Sequence, residues 1–203
     1  RWVLLVGDVS GAGPAAAALT AQVRHGARVA ARAGLEPEAV VAAVNATLDE
    51  TTGPEWFCTM VYVELTPGSD GIDLQVICAG HLPPLLVSDG RAEELEGRAP
   101  LLGVLAGARF PATHARLRPG QALVMLTDGA TEARAADRAG ADTFFGEERV
   151  RQVLAASSDA DADGLVQALA KSVLDHASWQ LHDDLAVVAL RAEPAGPAQN
   201  RDQ

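Results

Sequence analysis

Apolar residues recur at two spacings along this chain, and the changes of spacing divide it into strands and helices. Trp2-Val3-Leu4-Leu5-Val6-Gly7-Asp8 is a short, nearly continuous apolar run, which predicts a buried strand over residues 2–8. Asp8 to Pro14 is a glycine-rich turn, and Pro14 suits the first turn of a helix, where its missing N–H costs nothing. From there to about Ala33, residues Leu19, Val23, Ala27 and Ala30 recur at helical spacing, and Gly34 supplies a stop. Pro37 opens a second helix with Val40, Val41, Val44 and Leu48 on one face, ended by Gly53-Pro54. Phe57 to Leu65 and Ile72 to Ala79 read as a hairpin around the turn Pro67–Gly71, and Leu85 to Ser88 as a short strand before an Asp89-Gly90 turn. Thr113 to Leu117 and Ala122 to Thr127 flank Arg118-Pro119-Gly120 and predict a further hairpin. Residues 129–145 are polar and alanine-rich, a loop. Glu147 to Ala156 is a helix, and 157–163 an acidic linker. Gly164 to Ala177 is a helix with Leu165, Leu169 and Val173 on its face, and Leu185 to Leu190 is the last strand. Residues 193–203, with Pro194, Gly196 and Pro197, read as a disordered tail. Helices come in pairs and strands in hairpins between them. That predicts an α+β fold of antiparallel sheet with helices outside, not alternating βαβ units.

Composition narrows the functional classes. With 203 residues, 48% hydrophobic and 21% charged, the chain suits one large domain or two small ones, and no disulfide or metal staple is needed. The net charge of −11 is the wrong sign for a binder of nucleic-acid backbone. Cys58 and Cys78 sit inside apolar runs without CxxC spacing, so they read as two buried thiols rather than a zinc site. No apolar run reaches the ~18 residues of a membrane span, and there is no signal peptide, so a cytoplasmic setting is expected. The chain starts at Arg1, inside a strand and without Met, and is expected to be a piece of something longer.

The chemistry lies at the ends of the apolar runs. Asp8 closes the first, Asp128 ends Ala122-Leu123-Val124-Met125-Leu126-Thr127, and Asp183-Asp184 open Leu185-Ala186-Val187-Val188-Ala189-Leu190. Two strands that finish in Asp, and an antiparallel neighbour that begins with one, can bring these acids to one sheet edge. Clustered carboxylates repel one another unless a cation sits among them. Hard divalent ions with oxygen ligands, Mg²⁺ or Mn²⁺, are the natural occupants. A metal-dependent reaction on phosphate is therefore expected. The loop Gly7-Asp8-Val9-Ser10-Gly11-Ala12-Gly13 is placed like a phosphate cradle, but it lacks the Lys-Ser/Thr of a P-loop and does not match Gly-x-Gly-x-x-Gly; a plain strand-to-helix turn is the equal alternative. A haloacid-dehalogenase nucleophile at Asp128 would need a second Asp two residues on, where Ala130 stands. His182 reads as an exposed histidine beside the acidic pair. In Ala79-Gly80-His81-Leu82-Pro83-Pro84 the glycine and prolines fix a rigid turn, and His81 is assigned a structural rather than catalytic role.

Taken in order, these segments are similar to the bacterial SpoIIE/RsbU branch of the metal-dependent, PPM-type (protein phosphatase 2C-like) serine/threonine phosphatases. The matching text is Gly7-Asp8-Val9-Ser10-Gly11 with Gly13 and Ala15-Ala16; Phe57 with Thr59; Ala79-Gly80-His81 with Pro83-Pro84-Leu85-Leu86; Leu102-Gly103; Leu117 with Pro119-Gly120; Thr127-Asp128-Gly129 with Thr131-Glu132-Ala133; Phe145-Gly146; and Asp183-Asp184 with Val187-Val188. It covers about residues 2–191.

The resemblance implies an α-β-β-α sandwich of two mainly antiparallel sheets flanked by helix pairs, with two Mn²⁺ or Mg²⁺ ions in a cleft at one edge. It implies that Asp8 bridges both ions, joined by the Val9 backbone carbonyl. Asp128 and Asp183 would bind one ion, with Asp184, Gly129 and Ser10 beside the ligands. Asp8, Asp128 and Asp183 would then carry hydrolysis of phosphoserine or phosphothreonine through metal-activated water. The implied substrate is a phosphorylated anti-sigma factor antagonist of the STAS type, in a partner-switching pathway that controls a sigma factor. An upstream sensor domain in the same polypeptide would act through the helices between Pro14 and Glu50; a homodimer is left open. On this reading residues 1–192 form one N-terminally truncated phosphatase domain. The resemblance implies that the family's earlier strand, with a Gly-Gly-Asp motif serving the second ion, would precede Arg1. Ser10 stands where the animal branch has a His, Cys78 where Asn is frequent and Gln121 where Asp is frequent. A non-catalytic partner-binding domain of the same fold is the alternative. A nucleotide-binding α/β domain is disfavoured by the hairpin pattern.

Overall fold

The computed structural model describes residues 1–51, 53, 55–136 and 142–193. Its elements are β1 (Trp2–Val9), α1 (Gly13–Arg32), α2 (Pro37–Thr51), β2 (Cys58–Gly68), β3 (Gly71–Ala79), β4 (Leu85–Ser88), β5 (Arg91–Glu94), β6 (Thr113–Leu117), β7 (Ala122–Leu126), β8 (Arg134–Ala136), β9 (Asp142–Phe144), α3 (Gly146–Ala156), α4 (Ala162–His176) and β10 (Val187–Arg191). The strands form one four-stranded sheet in the order β1-β2-β3-β6, a second in the order β10-β7-β4-β5, and a two-stranded ribbon β8-β9. β1 pairs antiparallel with β2, and β7 antiparallel with β10 and β4, as the α+β reading expects. Among the described residues no helix is long and apolar enough to cross a membrane.

Two compact units arise from this order. The first comprises residues 1–65, 74–83 and 96–115. Its core is the apolar face of α1 (Ala16, Leu19, Val23, Ala27) and of α2 (Val40, Val41, Val44, Leu48), gathered with Met60, Tyr62, Ile77, Leu102 and Phe110. The helical spacing of those positions makes one continuous buried stripe per helix, and burial of this kind holds helices that propensity alone would not. Gly34 follows α1 at φ 85°, the left-handed position that glycine occupies without strain.

The second unit comprises residues 66–73, 84–95 and the chain from 116 onward. Its sheet is built on β7, all five residues of which are buried between neighbours β10 and β4. Helix α4 turns Leu165, Leu169 and Val173 inward, and α3 turns Val150 and Leu154. Asp161 caps α4, its carboxylate accepting from the Gly164 N–H at 2.8 Å. Asp161→Ala is expected to cost about 1 kcal/mol, read as a lower urea midpoint at unchanged slope.

Several expectations need correction. β6 and β7 flank a tight turn, closed by the Gln121 N–H on the Arg118 carbonyl at 2.9 Å, yet they are not a hairpin. β6 joins the sheet of β3, while β7 pairs with β10 and β4. The chain leaving the turn is taken by the C-terminal strand: Gly120 N–H donates to Ala192 O at 2.8 Å and Ala192 N–H to Gln121 O at 3.0 Å. Turn chemistry reports a local reversal and says nothing of which distant strand offers the better partner. Strand β5 escaped notice because Arg-Ala-Glu-Glu carries no apolar signal; it is an edge strand, with Glu94 bound by Arg151 of α3 at 2.8 Å. The supposed loop 129–145 holds β8 and β9. β2 runs on to Gly68, and the acidic linker is already helical from Ala162. Pro54 and the tail residues 194–203 lie outside the described residues.

Candidate metal centre

In the second unit, the turn at Asp128 packs against the backbone of Asp184. Thr127 ends the buried run of β7, and its hydroxyl takes the place of a ladder bond. It accepts from the Ala186 N–H at 3.0 Å and donates to the Asp184 carbonyl at 2.8 Å. The Thr127 N–H donates to Ala186 O at 3.1 Å. This is why β10 starts at Val187 and not at Leu185. On the other side of Asp128, a Cβ on Gly129 would lie 2.4 Å from the Asp184 carbonyl oxygen, so only glycine permits this approach. The two residues that flank Asp128 therefore both abut Asp184. The Asp128 carbonyl accepts from Glu132 N–H at 2.8 Å and Thr131 Oγ1 at 3.0 Å, which ties down the turn after it. Asp128 is half-buried, and Asp183 and Asp184 are exposed. Asp183 Oδ1 accepts from the Asp184 N–H at 2.7 Å. Gly129→Ala is expected to force the two acidic turns apart, costing about 1–3 kcal/mol by overpacking and weakening divalent-ion affinity. Urea unfolding and calorimetric Mn²⁺ titration check the two effects.

In the first unit, Asp8 and Val9 end β1 opposite Thr59 and Cys58 of β2. Opposed residues of an antiparallel pair alternate between hydrogen-bonded and non-bonded. The Ser10 N–H bonds Phe57 O at 2.9 Å, so the Asp8–Thr59 pair is hydrogen-bonded and the Val9–Cys58 pair is not. Consistently, Cys58 turns both its backbone groups to Leu102. The Val9 carbonyl therefore points off the side of β1 away from β2, available to a ligand. Gly7 is needed one step earlier, because a Cβ there would lie 2.4 Å from the Thr59 carbonyl oxygen. Ser10 is a clamp: its Oγ accepts from Phe57 N–H at 2.9 Å and donates to Glu55 O at 3.2 Å. The Asp8 carboxylate is exposed and near the Cys58 thiol; burial first, and this negative charge second, push that thiol up to about 12.

The oxygen chemistry of the predicted ligands suits a hard divalent cation. Asp128, Asp183 and Asp184 belong to the second unit, and Asp8 and Val9 to the first. Among the described residues no three acidic, histidine or cysteine side chains form a group able to hold an ion. Cys58 and Cys78 are buried, as expected, and His182 is exposed. His81 is buried, with Nδ1 2.8 Å from Thr59 Oγ1. Sequence reasoning gave Thr59 no role, although it is the one small hydroxyl in the run Cys58-Thr59-Met60-Val61-Tyr62-Val63, and that was the signal available.

Comparison with known proteins places this architecture. The chain is 24% identical over 190 residues to the phosphoserine phosphatase RsbU of Bacillus subtilis (strain 168), a match covering 93% of this chain and 55% of RsbU. Among solved structures, the RsbU and RsbW domains of Rv1364c from Mycobacterium tuberculosis superpose with a TM-score of 0.76 at 26% identity, covering 96% of this chain and 52% of that one. The catalytic domain of the serine/threonine protein phosphatase PstP, solved with two manganese ions, shares the fold at a TM-score of 0.61 and 14% identity, over 94% of this chain and 87% of that one. The chain thus spans about half the length of RsbU. The sequence profile of the Stage II sporulation protein E (SpoIIE) family matches residues 1–193, and the chain belongs to that family.

Proposed function

We propose that this chain is the phosphatase domain, residues 1–192, of a cytoplasmic signalling protein that hydrolyses phosphoserine or phosphothreonine on a protein with the help of two Mn²⁺ or Mg²⁺ ions. The observation that carries the reading is the match of the SpoIIE family to residues 1–193, and the packing of the Asp128 turn against the Asp184 backbone through Thr127 and Gly129 supports it. Asp8, the Val9 carbonyl, Asp128 and Asp183 would hold the ions. A pair of such ions supplies a water nucleophilic near neutral pH and offsets charge on the phosphoryl oxygens. The chain's own part is to keep the donors rigid. Thr127 fixes the turn behind Asp183, Gly129 sets the spacing of the acids, and Ser10 fastens the loop after Val9 to residues 55–57. The proposed substrate is a phosphorylated anti-sigma factor antagonist of the STAS type, and the proposed control is a sensor domain in the same polypeptide.

A non-catalytic partner-binding domain of the same fold is the competing reading. One assay separates the two. Phosphate release from a phosphorylated STAS protein is expected with Mn²⁺, and is expected to vanish with chelator or with Asp8→Asn. Release indifferent to both contradicts the metal mechanism. Binding of the STAS protein without release, in the presence of Mn²⁺, favours the second reading.

A further inference from the structure

Two motifs that take no part in the ligand set, Phe57 with Thr59 and Ala79-Gly80-His81, meet in the fold. Thr59 lies on β2 directly opposite Asp8. Its Oγ1 is 3.4 Å from the Asp8 carbonyl oxygen and 2.8 Å from Nδ1 of His81. A threonine hydroxyl has one proton to give. Given to the Asp8 carbonyl, it leaves the oxygen to accept from a proton on His81 Nδ1. With that assignment of the two protons, the bonds run from His81 Nδ1–H to Thr59 Oγ1–H to the Asp8 carbonyl.

The histidine end of this chain is itself anchored. His81 is buried, and the Cys78 thiol donates to its carbonyl at 3.0 Å. The Gly80 N–H donates to Ala99 O at 2.9 Å. Gly80 adopts φ 65°, and a Cβ there would lie 2.2 Å from Leu101 Cδ2, so the turn that delivers His81 admits only glycine.

We infer that His81 and Thr59 are positioning residues for the metal centre. They hold the Asp8 carbonyl down on β2. The Asp8 carboxylate and the Val9 carbonyl, which faces off the opposite side of the strand, are thereby presented as fixed donors. The inference rests on the reading of Asp8 and Val9 as ligands. Partners that orient a ligand from behind change metal affinity by about 10–100-fold when removed.

Calorimetric titration of Mn²⁺ into the chain tests this, with thermal unfolding in chelator as the control for folding. Thr59→Val removes the hydroxyl at constant shape, and His81→Leu removes the donor. Both are expected to weaken Mn²⁺ binding at least tenfold. Thr59→Ser keeps the hydroxyl, and His81→Asn keeps an amide near the Nδ1 position; both are expected to stay within a few-fold of wild type. A merely structural pair would not be rescued in this way. The double variant Thr59→Val/His81→Leu is expected to be no weaker than the poorer single one, because the two residues act in series. If Thr59→Val does not fold, the pair His81→Leu and His81→Asn gives the same reading. Wild-type affinity in folded Thr59→Val or His81→Leu overturns the inference while leaving the phosphatase reading intact. A wild-type chain that binds no Mn²⁺ overturns both.

Discussion

Asp128→Asn is expected to lower Mn²⁺-dependent phosphate release by on the order of 10²–10³-fold, the usual cost of removing one preorganised electrostatic element from a polar active site. The substitution keeps shape and hydrogen-bonding reach and removes one negative charge. The backbone bonds that hold the turn, from Glu132 N–H and Thr131 Oγ1 to the Asp128 carbonyl, do not depend on the side chain. Stability should therefore change by less than about 0.5 kcal/mol, so a loss of rate reports the site and not the fold. Asp184→Asn should cost less, about tenfold, if that residue supports the proposed ligands rather than binding an ion itself. Initial rates at several Mn²⁺ concentrations, alongside urea unfolding, distinguish the cases. A fully active Asp128→Asn removes this residue from the mechanism.

Val44→Asp is expected to produce the largest loss of stability. Val44 is 2% exposed in the α1–α2 core, where a Cβ on Gly26 of α1 would lie 3.9 Å from its methyl group. An unpaired carboxylate there costs about 3–5 kcal/mol, against a total stability of about 5–15 kcal/mol for a typical domain. At this chain length each kcal/mol moves the melting temperature by about 2–4 °C, so a drop of roughly 6–20 °C is expected. Val29→Asp on the same helix pair is the control, because Val29 is 52% exposed and should change little. If α1 and α2 also couple a sensor domain to ion binding, milder changes such as Val44→Ala should alter Mn²⁺ affinity before they unfold the chain. An unchanged melting temperature in Val44→Asp would contradict the packing described here.

Legibility in the sequence followed the strength of local signals. The α2 stripe of Val40, Val41, Val44 and Leu48 is apolar at one spacing only, and all four are buried. The run Ala122 to Leu126 has no polar residue, and it forms the all-buried strand β7. β5 was illegible because an edge strand of Arg-Ala-Glu-Glu owes its place to Arg151 and to backbone pairing with β4. The partnership of β6 and β7 was misread because a good turn at Arg118–Gln121 is local, whereas the competition between β3 and β10 for those strands is not.

The site divides in the same manner. Acids at strand ends were legible, and the packing of the Asp128 turn against the Asp184 backbone follows from antiparallel pairing of β7 with β10. The bond from Thr127 Oγ1 to the Asp184 carbonyl was not legible, since nothing in a sequence announces that a hydroxyl will replace a ladder bond. Nor was the link between Thr59 and His81, which are 22 residues apart and joined only by the register of the sheet and the Gly80 turn.

The proposed function requires Asp8, the Val9 carbonyl, Asp128 and Asp183 each to act as a metal ligand. Crystals soaked in Mn²⁺ and measured at the manganese absorption edge address it without reliance on any assay. The account predicts anomalous peaks within coordinating distance of all three carboxylates and of the Val9 carbonyl, lost in Asp8→Asn. Manganese bound only elsewhere, or none bound at all, would overturn it.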